Sequence, residues 1–223
     1  MESTTDLPEN PGYRLVGDTA EVPAEWTVLV IGIGRSGTSF ISSVLKYYDV
    51  FLGDKPSPTT LEDARLIAAI DERSDEKVSD VVRDYDGKHG TWAFKWPKLV
   101  YTCGDLIPHL RNPRLIITHR DPFAVAIRNE LAIKRPFKQG LRMAVKHNQA
   151  LYAATSKIEA PALHIAFELI DRDKVTAAKL IGRFIGRPPL DEACERALSD
   201  YLGDRRTTYL RHARIDSLKP RSE

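Results

Sequence analysis

The residues best equipped for chemistry lie in VLVIGIGRSGTSF, residues 28–40. Glycines at 32, 34 and 37, hydroxyls at 36, 38 and 39 and a single guanidinium at 35 follow a β-branched apolar run and open a segment with helical apolar spacing. A loop that ends at a helix N-terminus turns backbone N–H groups toward an anion, and glycines let the main chain come close to it. Three motifs overlap here. Gly32-x-Gly34-x-x-Gly37 fits the dinucleotide fingerprint, and Gly32-x4-Gly37-Thr38-Ser39 fits a Walker A loop with Thr38 where lysine belongs. The third string, Arg35-Ser36-Gly37-Thr38-Ser39, offers amides, hydroxyls and one cation to a compact tetrahedral anion.

These donors need a strand behind them and a helix ahead. The apolar run 27–33 predicts a buried strand and 39–47 a helix. Further strands are expected at 50–52, 91–95, 114–118 and 162–167. Helices are expected at 61–71, 98–110, 123–133, 137–157, 174–185 and 192–202. Strands alternating with helices predict an α/β fold, a three-layer P-loop-type parallel sheet of four to five strands flanked by helices on both faces. Ligands of such sheets bind at the C-terminal strand ends, which singles out Gly53 to Glu62, Lys95 to Lys98, His119 to Pro122, and Phe167 with Glu168.

The Walker reading lacks its lysine, and Leu115-Ile116-Ile117 ends in Thr118-His119-Arg120 instead of a metal-binding acid. The dinucleotide reading gains Asp54, about 20 residues after Gly32, as a ribose acid. It leaves Lys95 and Arg120 at two later strand ends without a role. A ligand with anions at both ends of one nucleoside uses all of these groups.

The segments IGRSGTSF, FKWPKL, IITHRDPFAVAIRN and LHIAFELI together resemble the sulfotransferase family, in its order, over roughly residues 26–185. The resemblance implies 3′-phosphoadenosine 5′-phosphosulfate as co-substrate and adenosine 3′,5′-bisphosphate as product, with no metal. It implies that Gly34, Arg35, Ser36, Gly37, Thr38 and Ser39 bind the 5′-phosphosulfate, that Phe40 and Phe167 lie near the adenine, and that Arg120 binds the 3′-phosphate. Arg128 replaces the serine that usually partners that arginine and could pair with the same phosphate. Arg35 and Lys95 are the expected catalytic cations. The family's histidine base falls at Pro97, so Glu62 is the candidate base, with Asp54 in reserve. Thr59-Thr60-Leu61-Glu62 also reads as a capping box that would make Glu62 structural. The family's late Arg-Lys-Gly loop is absent, although Arg205 and Arg206 are nearby. A P-loop kinase-like phosphotransferase, or a non-catalytic NAD(P)- or nucleotide-binding module, are the alternatives.

The 223 residues suit one domain over 25–223, with a loosely ordered arm over 1–24 that has no apolar stretch of signal-peptide type. No run is long enough to span a membrane, and a cytoplasmic location is the expectation. The net charge of +2 divides unevenly. Residues 54–86 carry ten acids and five bases, whereas 111–146 carry nine bases and two acids. The excess is too small for a general nucleic-acid binder and points to a small polyanion. The aromatics around Lys95 suit a small-molecule or a carbohydrate acceptor equally. For Lys134, Arg135, Lys138, Arg142 and Lys146 a solvated helix face is the simpler expectation. Cys103 and Cys194 have no metal-spaced partner and are expected to be buried thiols.

Overall fold

The computed structural model describes residues 10–211, and of 204–211 only the backbone helix. The start of the expected arm, the basic C-terminal tail and the side chains of Arg205 and Arg206 lie outside the described residues.

Trp26–Gly32 (β2) is buried at every position and is an interior strand of a five-stranded sheet. Thr91–Lys95 (β3) lies on one side of it, and Pro113–His119 (β4) and then Ala162–Ala166 (β5) on the other, all parallel. Tyr13–Val16 (β1) closes the far edge, antiparallel to β5. The chain therefore leaves β2 in one direction and returns in the other, and the strand order reverses between β2 and β4. A crevice opens at such a point beyond the carboxyl ends of the strands.

Alternation along the strands divides the core in two. Val28, Val30, Ile116, Leu163 and Ile165 face a layer made of Thr38–Tyr47 (α1), Phe167–Arg172 (α7), Lys174–Phe184 (α8) and Glu192–Arg211 (α9). Leu29, Ile31, Phe94, Leu115 and Ile117 face Ala64–Asp71 (α2), Asp75–Lys88 (α3), Leu99–Leu106 (α4), Pro122–Ile133 (α5) and Phe137–Thr155 (α6).

Apart from shifted element ends and the unexpected short helix α7, four features differ from the sequence expectation. Residues 50–52 form only an isolated bridge, Phe51 to Trp92, beside β3. The fifth strand is β1, within the segment expected to be an arm; all four of its side chains are exposed, so backbone pairing to β5 holds it and leaves no burial pattern to read. The helix α3 has Val78, Val81, Val82 and Tyr85 at 3.6-residue spacing and a Ser74 cap, in a segment whose acids overshadow its apolar face. Cys103 is buried as expected, but Cys194 is exposed near the start of α9.

Candidate functional site

The loop after β2 is shaped by two left-handed residues, Arg35 (φ 73°) and Gly37 (φ 99°), on either side of Ser36. Ser36 is fully buried. Its hydroxyl donates to the Ile33 carbonyl at 2.7 Å and lies 2.6 Å from the Thr118 hydroxyl, which must then be the donor of that second bond. Gly32 is required by the same contacts, because a Cβ there would stand 2.0 Å from Thr118 Oγ1 and 2.6 Å from Ser36 Oγ. The serine hydroxyl thus fastens the loop to the end of β4 and points away from the crevice. Thr38 is buried at the first turn of α1, whose N-cap Gly37 supplies no side-chain acceptor. Orphan N–H groups at such an end call for an acceptor from elsewhere. Gly34 and Ser39 are at least partly open, and Phe40 is half-buried against the α1–α8 core.

Arg120, the first residue after β4, donates Nη1 to the Arg35 carbonyl at 2.6 Å and lays its guanidinium 3.9 Å above the Phe167 ring. Its Nε is buried with no hydrogen-bond partner in the described structure. Burial lowers its pKa, Glu168 opposes that shift, and Arg128 adds to it. Burial also lowers the pKa of Arg35, and Arg128 again adds repulsion. Arg128, half-buried on α5, has no hydrogen bond or ion pair among the described residues. Three guanidinium groups therefore converge beside an uncapped helix end. Such a cluster gains by taking up an anion with more than one site. A cleft of about 540 Å³ opens beside Arg120, lined also by His119, Asp121, Asn148, Tyr152 and Glu168. A smaller cavity of about 140 Å³ lies between Gly34–Arg35 and the helices α5 and α6, with Asn129, Arg135, Met143 and His147 in its wall.

Lys95 ends β3 beside Val30 of β2 and is only 3% exposed, yet its ammonium meets the Glu62 carboxylate at 2.7 Å. Burial lowers the lysine pKa and Glu62 acts in the opposite sense. Glu62 is placed by its neighbour. The buried Asp63 caps α2 by accepting from the amides of Arg65 and Leu66, and it also accepts from Lys55 N–H and from the Tyr85 hydroxyl at 2.7 Å. With Asp63 as N-cap, Glu62 precedes the helix and is not the N3 residue of a capping box. Asp54, the reserve base and the candidate ribose acid, pairs with Arg65 at 2.6 Å and not with Lys95. Of the nine bases between 111 and 146, Arg111 pairs with Glu25 and the buried Arg114 donates to the Phe184 carbonyl, so both serve the fold.

Two histidines, His119 and His147, lie at the clefts. His147 is in the wall of the smaller cavity, edge-on to Tyr101, and burial lowers its pKa. His119 Nε2 lies 2.9 Å from His164 Nδ1, and its ring is parallel to Tyr152. No sequence spacing links residues 119 and 164; only the parallel register of β4 and β5 joins them. Burial first, and His164 second, hold His119 at a pKa of about 4. Between its ordinary 6.5 and about 4 the unfolded chain takes up a proton that the folded chain refuses. Stability should therefore fall as pH drops through that window. The melting temperature is expected to decline from pH 7 to 4.5, and His119→Gln should reduce that decline by about 2–4 °C. An identical pH dependence in the variant would show that the pair does not titrate in this way.

The chain has the sulfotransferase fold. It matches the sulfotransferase domain of the Synechococcus PCC 7002 olefin synthase with a TM-score of 0.51 at 17% identity, covering 80% of this chain and 79% of that domain. A sulfotransferase of Mycobacterium avium gives a TM-score of 0.47 at 17% identity, over 89% of this chain and 71% of that one. Retinol dehydratase in complex with androsterone and inactive cofactor PAP gives 0.47 at 14% identity, over 85% and 70%. No family model and no curated protein sequence matches the chain.

Proposed function

We propose that this protein is a cytoplasmic enzyme that moves the sulfuryl group of 3′-phosphoadenosine 5′-phosphosulfate to a hydroxyl or amine of a small-molecule or carbohydrate acceptor. The observation that carries the proposal is the convergence of Arg35, Arg120 and Arg128 at the uncapped start of α1, with the buried Nε of Arg120 still unpartnered. A nucleotide bearing separate 5′ and 3′ anions satisfies these donors.

In this proposal the amides of Gly34, Gly37, Thr38 and Ser39, the Ser39 hydroxyl and Arg35 hold the 5′-phosphosulfate. Ser36 contributes by fixing the loop, because its hydroxyl is taken up by Ile33 and Thr118 and not by the anion. Arg120 and Arg128 hold the 3′-phosphate, while Phe167 and Phe40 flank the base. Lys95 donates to the oxygen between phosphorus and sulfur as the S–O bond breaks, and Glu62 orients that ammonium. The acceptor oxygen forms the new S–O bond, its proton passes to Glu62, and adenosine 3′,5′-bisphosphate leaves. Positioning and charge stabilisation supply the rate.

Both alternatives lose support. A kinase-like transferase needs the missing lysine at Thr38, and a dinucleotide site needs the acid that Arg65 occupies. Adenosine 3′,5′-bisphosphate at about 100 times its dissociation constant should add roughly 2.7 kcal/mol of stability without magnesium. Stabilisation by magnesium-ATP or NADP alone would refute the proposal.

A further inference from the structure

The exposed apolar side chains of this protein are concentrated. Ten large hydrophobic residues are exposed among the described residues, and six lie on α5 and α6: Phe123, Ile127, Leu131, Ile133, Val145 and Tyr152. Phe123, Ile127 and Leu131 recur at i, i+4 and i+8, one side of a helix, and line neither cleft. On α6 the exposed residues Lys138, Arg142, Val145, Gln149 and Tyr152 form a second stripe at helical spacing. The two helices lie against each other, with Phe123 on the Phe137 ring and Gly140 on Ala126.

The charge on this face is uncompensated. Several exposed bases elsewhere meet acids: Lys77 with Glu72, Arg83 with Asp80, Lys88 with Asp84, Lys98 with Asp71 and Lys179 with Glu195; others, such as Lys46, Arg73 and Arg183, have no ion pair among the described residues but lie on separate elements. Lys134, Lys138, Arg142 and Lys146 have no ion pair among the described residues, and the only acid on α5 or α6 is Glu130. Protruding apolar side chains interleaved with unpaired bases suit the headgroup region of a bilayer, where apolar tips enter the acyl boundary and cations meet lipid phosphates.

We propose that the exposed face of α5 and α6 docks the protein on a membrane surface rich in anionic lipid. The tips of Phe123, Ile127 and Leu131, which line neither cleft, fit a deformable bilayer better than a shaped protein partner. The same face borders the site: Val145 and Tyr152 line the Arg120 cleft and Ile133 lines the Arg35 cavity. Docking brings both openings to the lipid surface, so the acceptor is an amphiphile presented there. This last step rests on the sulfotransferase proposal, while docking itself does not.

The test is co-sedimentation of the full chain with phosphatidylcholine vesicles with and without about one-third phosphatidylglycerol. Binding should require the anionic lipid and weaken with salt. Lys138→Glu combined with Arg142→Glu should reduce partitioning at least roughly 25-fold, at about fivefold per basic side chain. Ile127→Ser combined with Leu131→Ser should also weaken it, by roughly tenfold or more. Circular dichroism and adenosine 3′,5′-bisphosphate binding on the same samples show that the variants fold. Absence of binding to anionic vesicles at low salt would overturn the proposal. Indifference to the Ile127/Leu131 pair, or full displacement by soluble polyglutamate, would overturn it too, because charge alone would then explain the binding. Vesicle binding without bisphosphate binding would sink the sulfotransferase reading and leave docking intact.

Discussion

Lys95→Met should lower sulfuryl transfer by about 10²–10³-fold while adenosine 3′,5′-bisphosphate binds within a few-fold of wild type. Methionine keeps the length of the side chain in a space with 3% exposure and removes only the charged donor. The expected loss is in kcat, because the ammonium acts on charge that develops as the bridging bond breaks. Glu62→Gln separates the two roles assigned to the carboxylate. The amide still accepts from Lys95 but takes no proton, and general-base help is typically worth roughly 10²–10⁴ in rate. A folded Glu62→Gln protein with turnover within a few-fold of wild type would rule out the base and leave Glu62 as the partner of Lys95. For Lys95, a collapse of bisphosphate affinity with normal turnover of the remaining complex would make it an anchor instead.

Arg120→Ala should weaken adenosine 3′,5′-bisphosphate by roughly 10–150-fold, the range for a hydrogen bond to a charged group. Adenosine 5′-monophosphate should lose less, although not nothing. Arg120 also donates to the Arg35 carbonyl at 2.6 Å and covers Phe167, so its removal loosens the loop that holds the 5′ end. Arg128→Ala, which breaks no such bond, should discriminate between the two nucleotides more cleanly. Equal losses for both ligands in both variants would remove the 3′-phosphate from these arginines.

Much of the fold was legible because continuous apolar runs and glycine punctuation are local. β2, β3, β4 and β5 appear close to where their apolar runs place them, and α1 begins where the hydroxyls suggest. β1 was not legible, since four exposed residues paired through their backbone carry no pattern. The site shows the same division. Arg35, Lys95 and Arg120 stand at strand ends and could be picked by position alone. The Lys95–Glu62 pair depends on Asp63 taking the cap, which a Thr-x-x-Glu spacing conceals. Ser36 was misleading for a related reason: in sequence a loop serine offers its hydroxyl outward, whereas Thr118, 82 residues later, turns it inward.

That bond between hydroxyls has a consequence for biosynthesis. Residues 28–40 contain every group of the anion loop, yet the loop is held by a partner on β4. A ribosome that has released only the first hundred residues has exposed the glycines and the arginine without the strand that locks them. The loop acquires its shape when β4 enters beside β2, at the step that also delivers Arg120. Nucleotide affinity should thus be absent from nascent chains until β4 and Arg120 have left the exit tunnel, although the whole loop is exposed well before.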